Sequence, residues 1–172
     1  MDFDTPINRF GTHSVKWDSM EGIYGVPASD GIAMWVADMD FRPPTCVQRA
    51  LEGMLAHGIY GYYGEDGAYL DAIRWWMAER HGWAVEREQV FTTHGLVNGT
   101  AMCIDSFSKP GDRIVLTTPV YHAFARIIKA VGRDVAEMPL INVNGRYEMD
   151  FAAWDSAMTG RETMMILCSP HN

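Results

Sequence analysis

The 172-residue chain has little of what marks secreted, membrane or nucleic-acid-binding proteins. Its three cysteines, Cys46, Cys103 and Cys168, form no CxxC pair, which predicts buried, reduced thiols in a cytoplasmic protein. No apolar run approaches the ~20 residues of a membrane span, and the acidic N-terminus lacks the regions of a signal peptide. The formal net charge of −8 argues against nucleic acid or an anionic membrane as partner. The six histidines show no metal-ligand spacing, so no metal site is expected.

What the chain does have is an alternation of apolar runs and helical patterns from about residue 89 onward. The runs are continuously apolar, which is typical of a mainly parallel sheet with helices on both faces. We therefore predict an α/β fold, preceded by an N-terminal arm over residues 1–33, where little regular pattern exists. The predicted strands are 34–41, 89–93, 113–117, 134–140, a short one after the turn at 143–147, and 164–168; the predicted helices are 44–57, 66–81, one following Gly95, 121–131 and one capped by Asp150.

The stretch from Thr92 to Gly99 is the centre of the functional argument. A predicted strand leads into Gly95, and a helical pattern follows, with Leu96, Ile104 and Phe107 on its apolar face. Such a turn directs unpaired N–H groups and the positive end of the helix dipole at one point, which suits a phosphate. An ordinary strand–glycine–helix turn that binds nothing is the alternative, since the sequence is neither a Walker loop nor a dinucleotide fingerprint.

Two further stretches allow either a structural or a functional interpretation. Residues Gly58–Gly64 contain three glycines and three tyrosines, and therefore form a loop that either packs on the core or presents hydroxyls to a ligand. Asp38 and Asp40 look like a catalytic carboxylate pair, but turn-capping is the preferred interpretation for both.

Five motifs, in this order, resemble the MalY/PatB family of C–S β-lyases, which is cystathionine β-lyase-like. This family belongs to the class I/II aminotransferase superfamily of pyridoxal 5'-phosphate (PLP) enzymes of fold type I. The stretch W-V-A-D-M-D-F is the most specific motif, whereas the others are shared with class I/II aminotransferases in general. The motifs are Trp35–Phe41, Gly58–Tyr62, His94–Val97, Pro119–Tyr121 and Pro170–Asn172.

The resemblance assigns cofactor-binding roles. Gly95, Leu96 and Val97 would give backbone N–H groups to the PLP phosphate. Tyr121 would stack its ring on the pyridine, and Asn172 would donate its amide to the phenolic oxygen of the cofactor.

It also implies a homodimer with shared active sites. Tyr60 would reach the phosphate from the neighbouring subunit, and Ala37 would lie near the carboxylate of a small amino-acid substrate. Residues 1–48 would form the N-terminal arm and a segment of the small domain, and residues 49–172 the first part of the large PLP-binding domain.

The lysine that forms the imine with PLP in this family would lie beyond Asn172. Of the lysines present, Lys109 imitates the S-x-x-K pattern, but it sits at the far end of the helix from the phosphate turn, roughly 20 Å away at 1.5 Å per residue. We expect it to be a solvated residue near a helix C-terminus. We therefore expect the 172 residues to be an N-terminal fragment of an incomplete fold, inactive by itself.

The parent protein is expected to cleave cystathionine or cysteine S-conjugates to thiol, pyruvate and ammonia. A class I/II aminotransferase on the same scaffold is the first alternative. A non-catalytic regulatory or binding protein that kept the scaffold is the second.

Overall fold

The computed structural model describes residues 2–172, which divide into two compact units, one up to Glu65 and one from Asp66 onward. The domain boundary predicted between residues 48 and 49 stays a prediction. Each unit is described by itself below.

The first unit contains three helices: α1 (Val15–Asp18), α2 (Met20–Tyr24) and α3 (Thr45–His57). The predicted helix 44–57 is therefore confirmed, but its apolar residues are 45–72% exposed. Helical periodicity identifies the apolar face of a helix without identifying what covers it. The strand predicted over 34–41 does not form, since this segment is irregular. The exposed apolar residues of α3 are Val47, Leu51, Met54 and Leu55.

The second unit carries the sheet. It begins with the predicted helix at residues 66–81, in which Leu70 is buried, and continues through a short 3₁₀ turn to alternating helices and strands. Its elements are α4 (Gly67–His81), the 3₁₀ turn Arg87–Gln89, α5 (Leu96–Phe107), β1 (Arg113–Thr118), α6 (His122–Ala130), β2 (Asp134–Val143), β3 (Arg146–Met149), α7 (Phe151–Ala157) and β4 (Glu162–Ile166).

The four strands form one mixed, mainly parallel sheet in the order β3-β2-β1-β4. β1 pairs in parallel with both β2 and β4, and the connections run through α6 and α7, as parallel pairing requires. β2 and β3 are antiparallel and are joined by a two-residue loop at Asn144 and Gly145, whose φ angles are 52° and 87°. Two successive positive φ angles match the right-handed twist of a hairpin, and asparagine and glycine tolerate them best.

Apolar side chains of β1 are buried on both faces of the sheet. Ile114 and Leu116 face α5 and α6, where they pack with the fully buried Ile104 and Ile128. Val115 faces the other way and belongs to a second cluster that contains Trp154 of α7. Helices therefore cover both faces, as the continuously apolar runs predicted.

Three expectations about the chain before β1 and about its thiols are wrong. The run 89–93 is no strand: it has no ladder partner, and Phe91 is 86% exposed. An apolar run this short does not specify its partner. Leu96 and Phe107, placed on the buried face of α5, are exposed, whereas Ile104 is buried as predicted. The cysteines are free thiols but not buried, because two are exposed and Cys168 is half-buried.

Candidate active site at the Gly95 turn

The turn before α5 has a backbone conformation that only glycine adopts easily. Gly95 is the N-cap of α5, with φ 83° and ψ 152°, a region essentially closed to residues with a Cβ. Its N–H donates to the Thr93 carbonyl over 2.9 Å, which tightens the bend. This N–H, unlike those of Leu96 and Val97, is therefore not free for a phosphate, which corrects the role that the resemblance implied for it. No heavy atom beyond its chain neighbours lies within 4 Å of the position that a Cβ would take. The turn is therefore open on its outer side.

Several N–H groups at the start of α5 are free to bind a ligand. No side chain caps this end of the helix, and the first helical hydrogen bond runs from the Gly99 N–H to the Gly95 carbonyl over 3.0 Å. The N–H groups of Leu96, Val97 and Asn98 precede that bond and have no acceptor among the described residues. Leu96 is 87% exposed, so its own side chain is not folded into the turn. Unpaired N–H groups at the positive end of a helix dipole favour an anion over a cation at such a position.

The helix behind the turn is anchored at both ends. Near its start, a Cβ on Gly99 would lie 2.7 Å from Thr93 Oγ1, so glycine permits the helix to approach the preceding segment closely. Beyond its C-terminal end, the buried Arg133 donates to the carbonyls of Ser108 and Asp105, over 2.8 and 3.4 Å. Arg133 thus satisfies carbonyls that a helix end leaves unpaired.

The ends of β1 and β4 are joined next to this helix. The Tyr121 N–H donates to the Asn172 carbonyl over 2.6 Å, and His171 Nε2 lies 2.6 Å from the Pro119 carbonyl oxygen. The Tyr121 ring packs edge-on against Phe124, with ring centroids 5.6 Å apart, and remains partly exposed. Two of the predicted site residues, Tyr121 and Asn172, are therefore held in direct contact through their backbones.

The Gly95 turn lies at the same edge of the sheet as these strand ends. α5 runs toward residues 108–112, which lead into the start of β1, so the start of α5 lies where β1 finishes. Val97 and Val120 pack against the same core cluster, which agrees with this placement. The structure thus places a helix N-terminus, Tyr121 and Asn172 at the carboxyl edge of the parallel strands.

The two remaining predicted site residues belong to the first unit. Ala37 is exposed in the irregular segment that contains Trp35–Phe41, and Tyr60 is 67% exposed in the segment that follows α3. Both are accessible in the unit to which they belong.

Asp38 and Asp40 neither form a catalytic pair nor cap turns, so the preferred interpretation is corrected. Arg9 bridges both carboxylates, at 2.5 Å from Asp38 and 2.7 Å from Asp40. The buried Lys16 pairs with Asp40 at 2.8 Å, and the indole N–H of Trp17 donates to the same carboxylate. These donors, with Lys16 foremost, hold the pKa of Asp40 far below its ordinary value. A carboxylate so fully engaged fixes the fold of this unit and is not free for proton transfer.

Sequence reasoning missed Arg133, the cations that pair with the acidic residues, and the contact that His171 makes with Pro119. Their partners lie far away in sequence, and no local pattern marks them. Lys109 is exposed just beyond the C-terminal end of α5, away from the turn, as expected. Within residues 2–172, no cluster of three or more metal-ligating side chains exists, and no helix there is long and apolar enough to cross a membrane.

A mainly parallel sheet flanked by helices, with an open helix N-terminus at its carboxyl edge, defines an α/β protein of the class whose ligands bind at that edge. Comparison with known proteins gives the particular family: residues 31–172 match the family model for aminotransferase class I and II, and the chain belongs to this family.

Individual relatives agree with this assignment. Cystathionine beta-lyase PatB of Bacillus subtilis is 40% identical over the whole chain, which covers 44% of that relative. The structure of cystalysin from Treponema denticola, which contains a pyridoxal 5'-phosphate cofactor, matches 99% of this chain and 44% of that chain, with a TM-score of 0.90 and 32% identity. A PLP-bound C-S lyase from Staphylococcus hominis matches with a TM-score of 0.85 and 29% identity over 100% of this chain and 44% of that one. The chain thus spans less than half the length of these relatives.

Proposed function

We propose that this chain is part of a PLP-dependent C–S β-lyase that cleaves cystathionine or cysteine S-conjugates to thiol, pyruvate and ammonia. The open Gly95 turn, at the sheet edge that also carries Tyr121 and Asn172, is the observation on which the proposal depends. The names of the relatives, cystathionine beta-lyase and C-S lyase, support this reaction over others of the family.

The residues at the turn fit the phosphate of PLP. Gly95 leaves the approach open, and the backbone N–H groups of Leu96 and Val97 would donate to phosphate oxygens. Hydrogen bonds to a charged acceptor are about twice as strong as neutral ones, so a few well-placed donors suffice to anchor the phosphate. When bound, PLP supplies an electron sink for the substrate carbon next to the amine.

Tyr121 and Asn172 would orient the cofactor ring. The partly exposed Tyr121 ring offers a flat apolar face to the pyridine, and Phe124 supports it from the side. The Asn172 amide would donate to the phenolic oxygen. Because the backbones of Tyr121 and Asn172 are hydrogen-bonded to each other, the positions of the two cofactor contacts are coupled.

The proposal extends to a homodimer in the cytoplasm. Tyr60, exposed here, would bind the phosphate of a neighbouring subunit, and the backbone at Ala37 would lie near the carboxylate of the amino-acid substrate. Trp75 and Trp76 on α4 are 60% and 49% exposed, which supports association, since large exposed aromatic residues favour interfaces.

The test uses the full-length protein that contains this chain, purified with PLP and incubated with cystathionine. We expect pyruvate and free thiol in equal amounts, with Tyr121→Ala lowering the rate. Tyr147→Ala is the matched control, because Tyr147 lies on β3 and is half-exposed. Amino transfer to a 2-oxo acid without elimination would replace the lyase by an aminotransferase. If the full-length protein does not bind PLP, the second alternative, a non-catalytic regulatory or binding protein, would replace the lyase.

A further inference from the structure

The ends of β1 and β4 meet a second time after their ladder has stopped. The parallel pairing of the two strands ends at Leu116 and Ile166. The segments that follow the two strands are joined again by two contacts of 2.6 Å each. In one, the Tyr121 N–H donates to the Asn172 carbonyl; in the other, His171 Nε2 meets the Pro119 carbonyl oxygen. One of the two links is therefore a side chain.

The chemistry of the second link determines the role of the imidazole. A carbonyl oxygen only accepts, so His171 Nε2 carries the proton and donates. Pro119 has no N–H, and its position cannot contribute a donor toward β4. The His171 side chain thus supplies a lateral hydrogen bond that the backbone at this position cannot make.

We propose that His171 is a positioning residue, which holds the Pro119–Tyr121 segment against Asn172 and thereby sets the spacing between the Tyr121 ring and the Asn172 amide. This inference rests on the proposed function, in which both residues contact PLP. The His171 imidazole acts through its contact with the Pro119 carbonyl and, in this proposal, takes no part in the reaction. Without the His171 side chain, only the hydrogen bond between the Tyr121 N–H and the Asn172 carbonyl joins the two segments, and the Tyr121 segment is then able to rotate about that bond.

The two amide substitutions of His171 separate this role from a general structural one. A glutamine places its amide nitrogen near the position of Nε2 and can still donate to the Pro119 carbonyl, whereas an asparagine is one methylene shorter and does not reach it. The pair therefore differs in reach and not in polarity. His81→Asn is the control at an exposed histidine in the last turn of α4.

The experiment measures PLP binding by the full-length apoprotein and the visible circular dichroism of the bound cofactor. We expect His171→Asn to weaken PLP binding about fivefold to tenfold, as loss of one hydrogen bond does, and to reduce the dichroism. His171→Gln should stay within about twofold of wild type by the same comparison, and His81→Asn should match wild type.

Equal affinity and dichroism in His171→Asn, His171→Gln and wild type would overturn the inference, and so would equal losses in both His171 variants. If His171→Asn does not fold, His171→Gln still decides, because it must retain both affinity and dichroism. Failure of wild type to bind PLP would overturn the proposed function instead.

Discussion

Replacing Gly95 by alanine tests the Gly95 turn most directly. The φ of 83° and ψ of 152° lie in a region that costs a residue with a Cβ about 1–3 kcal/mol. Space is not the obstacle, because nothing lies within 4 Å of the added methyl group. The strain is relieved when the peptides on either side of residue 95 rotate, which turns the Leu96 N–H away from the point that it shares with the N–H groups of Val97 and Asn98.

If the bound state requires the native turn, the strain appears in the affinity for PLP. At about 1.4 kcal/mol per factor of ten, 1–3 kcal/mol predicts binding that is roughly 5-fold to 150-fold weaker. The assay is titration of full-length apoprotein with PLP, followed by absorbance. Pyridoxal without the phosphate should bind wild type and Gly95→Ala almost equally, because it does not use the turn.

Gly53→Ala is the matched control for the same chemical change. Gly53 lies inside α3, its added methyl group would meet nothing within 4 Å, and alanine favours a helix interior by about 0.5–1 kcal/mol. This variant should be slightly more stable and should bind PLP like wild type. Wild-type PLP affinity in Gly95→Ala would refute the assignment of the turn as the phosphate site.

Two further predictions concern the elements that hold the site. Arg133→Met should lower the free energy of unfolding by about 3 kcal/mol in urea titration, because it leaves the carbonyls of Asp105 and Ser108 and the Asp105 carboxylate without the donor that this buried side chain provides. Arg126→Met, at a half-buried residue of α6 that makes no such contacts, should change it less, and similar losses in both variants would contradict the role of Arg133. Burial raises the pKa of Glu162, but hydrogen bonds from Thr159 and the charge of Arg113 outweigh this effect and lower the pKa to about 2. The ionised carboxylate therefore stabilises the fold at pH values above its ordinary pKa of 4.5, and this stabilisation is lost as the pH falls toward 2. Glu162→Gln should flatten the dependence of the urea midpoint on pH in that window, and an unchanged slope would show that other groups govern it.

The layers of the second unit could be predicted because their signals are local. Continuous apolar runs identified β1, β2 and β4, and Asp150 was predicted as a helix cap, which its carboxylate forms with the Ala153 N–H over 3.0 Å. The run 89–93 has the same composition but no neighbouring strand, and pairing is a property of the whole sheet. The apolar face of α3 is exposed for a similar reason, since helical periodicity predicts an apolar face but not the element that packs against it.

In the candidate site, too, the local features could be predicted and the contacts between distant residues could not. The Gly95 turn is contiguous in sequence, so its conformation followed from one glycine between an extended segment and a helix. The partners of Asp38 and Asp40 could not be predicted, because Arg9 and Lys16 precede them by more than twenty residues. His171 was recognised only as part of a motif, and its contact with Pro119 depends on how β1 and β4 end.

The hairpin at Asn144 and Gly145 has a consequence for how the protein behaves in crowded solution. It pairs β3 with residues 140–143 of β2, so the backbone groups on that side of this part of the longer strand are not presented to other molecules. The strand left outermost has only four residues, and it carries a cation at Arg146 and an anion at Glu148. A short, charged edge strand of this kind resists the addition of strands from other molecules, which protects this part of the sheet edge from aggregation.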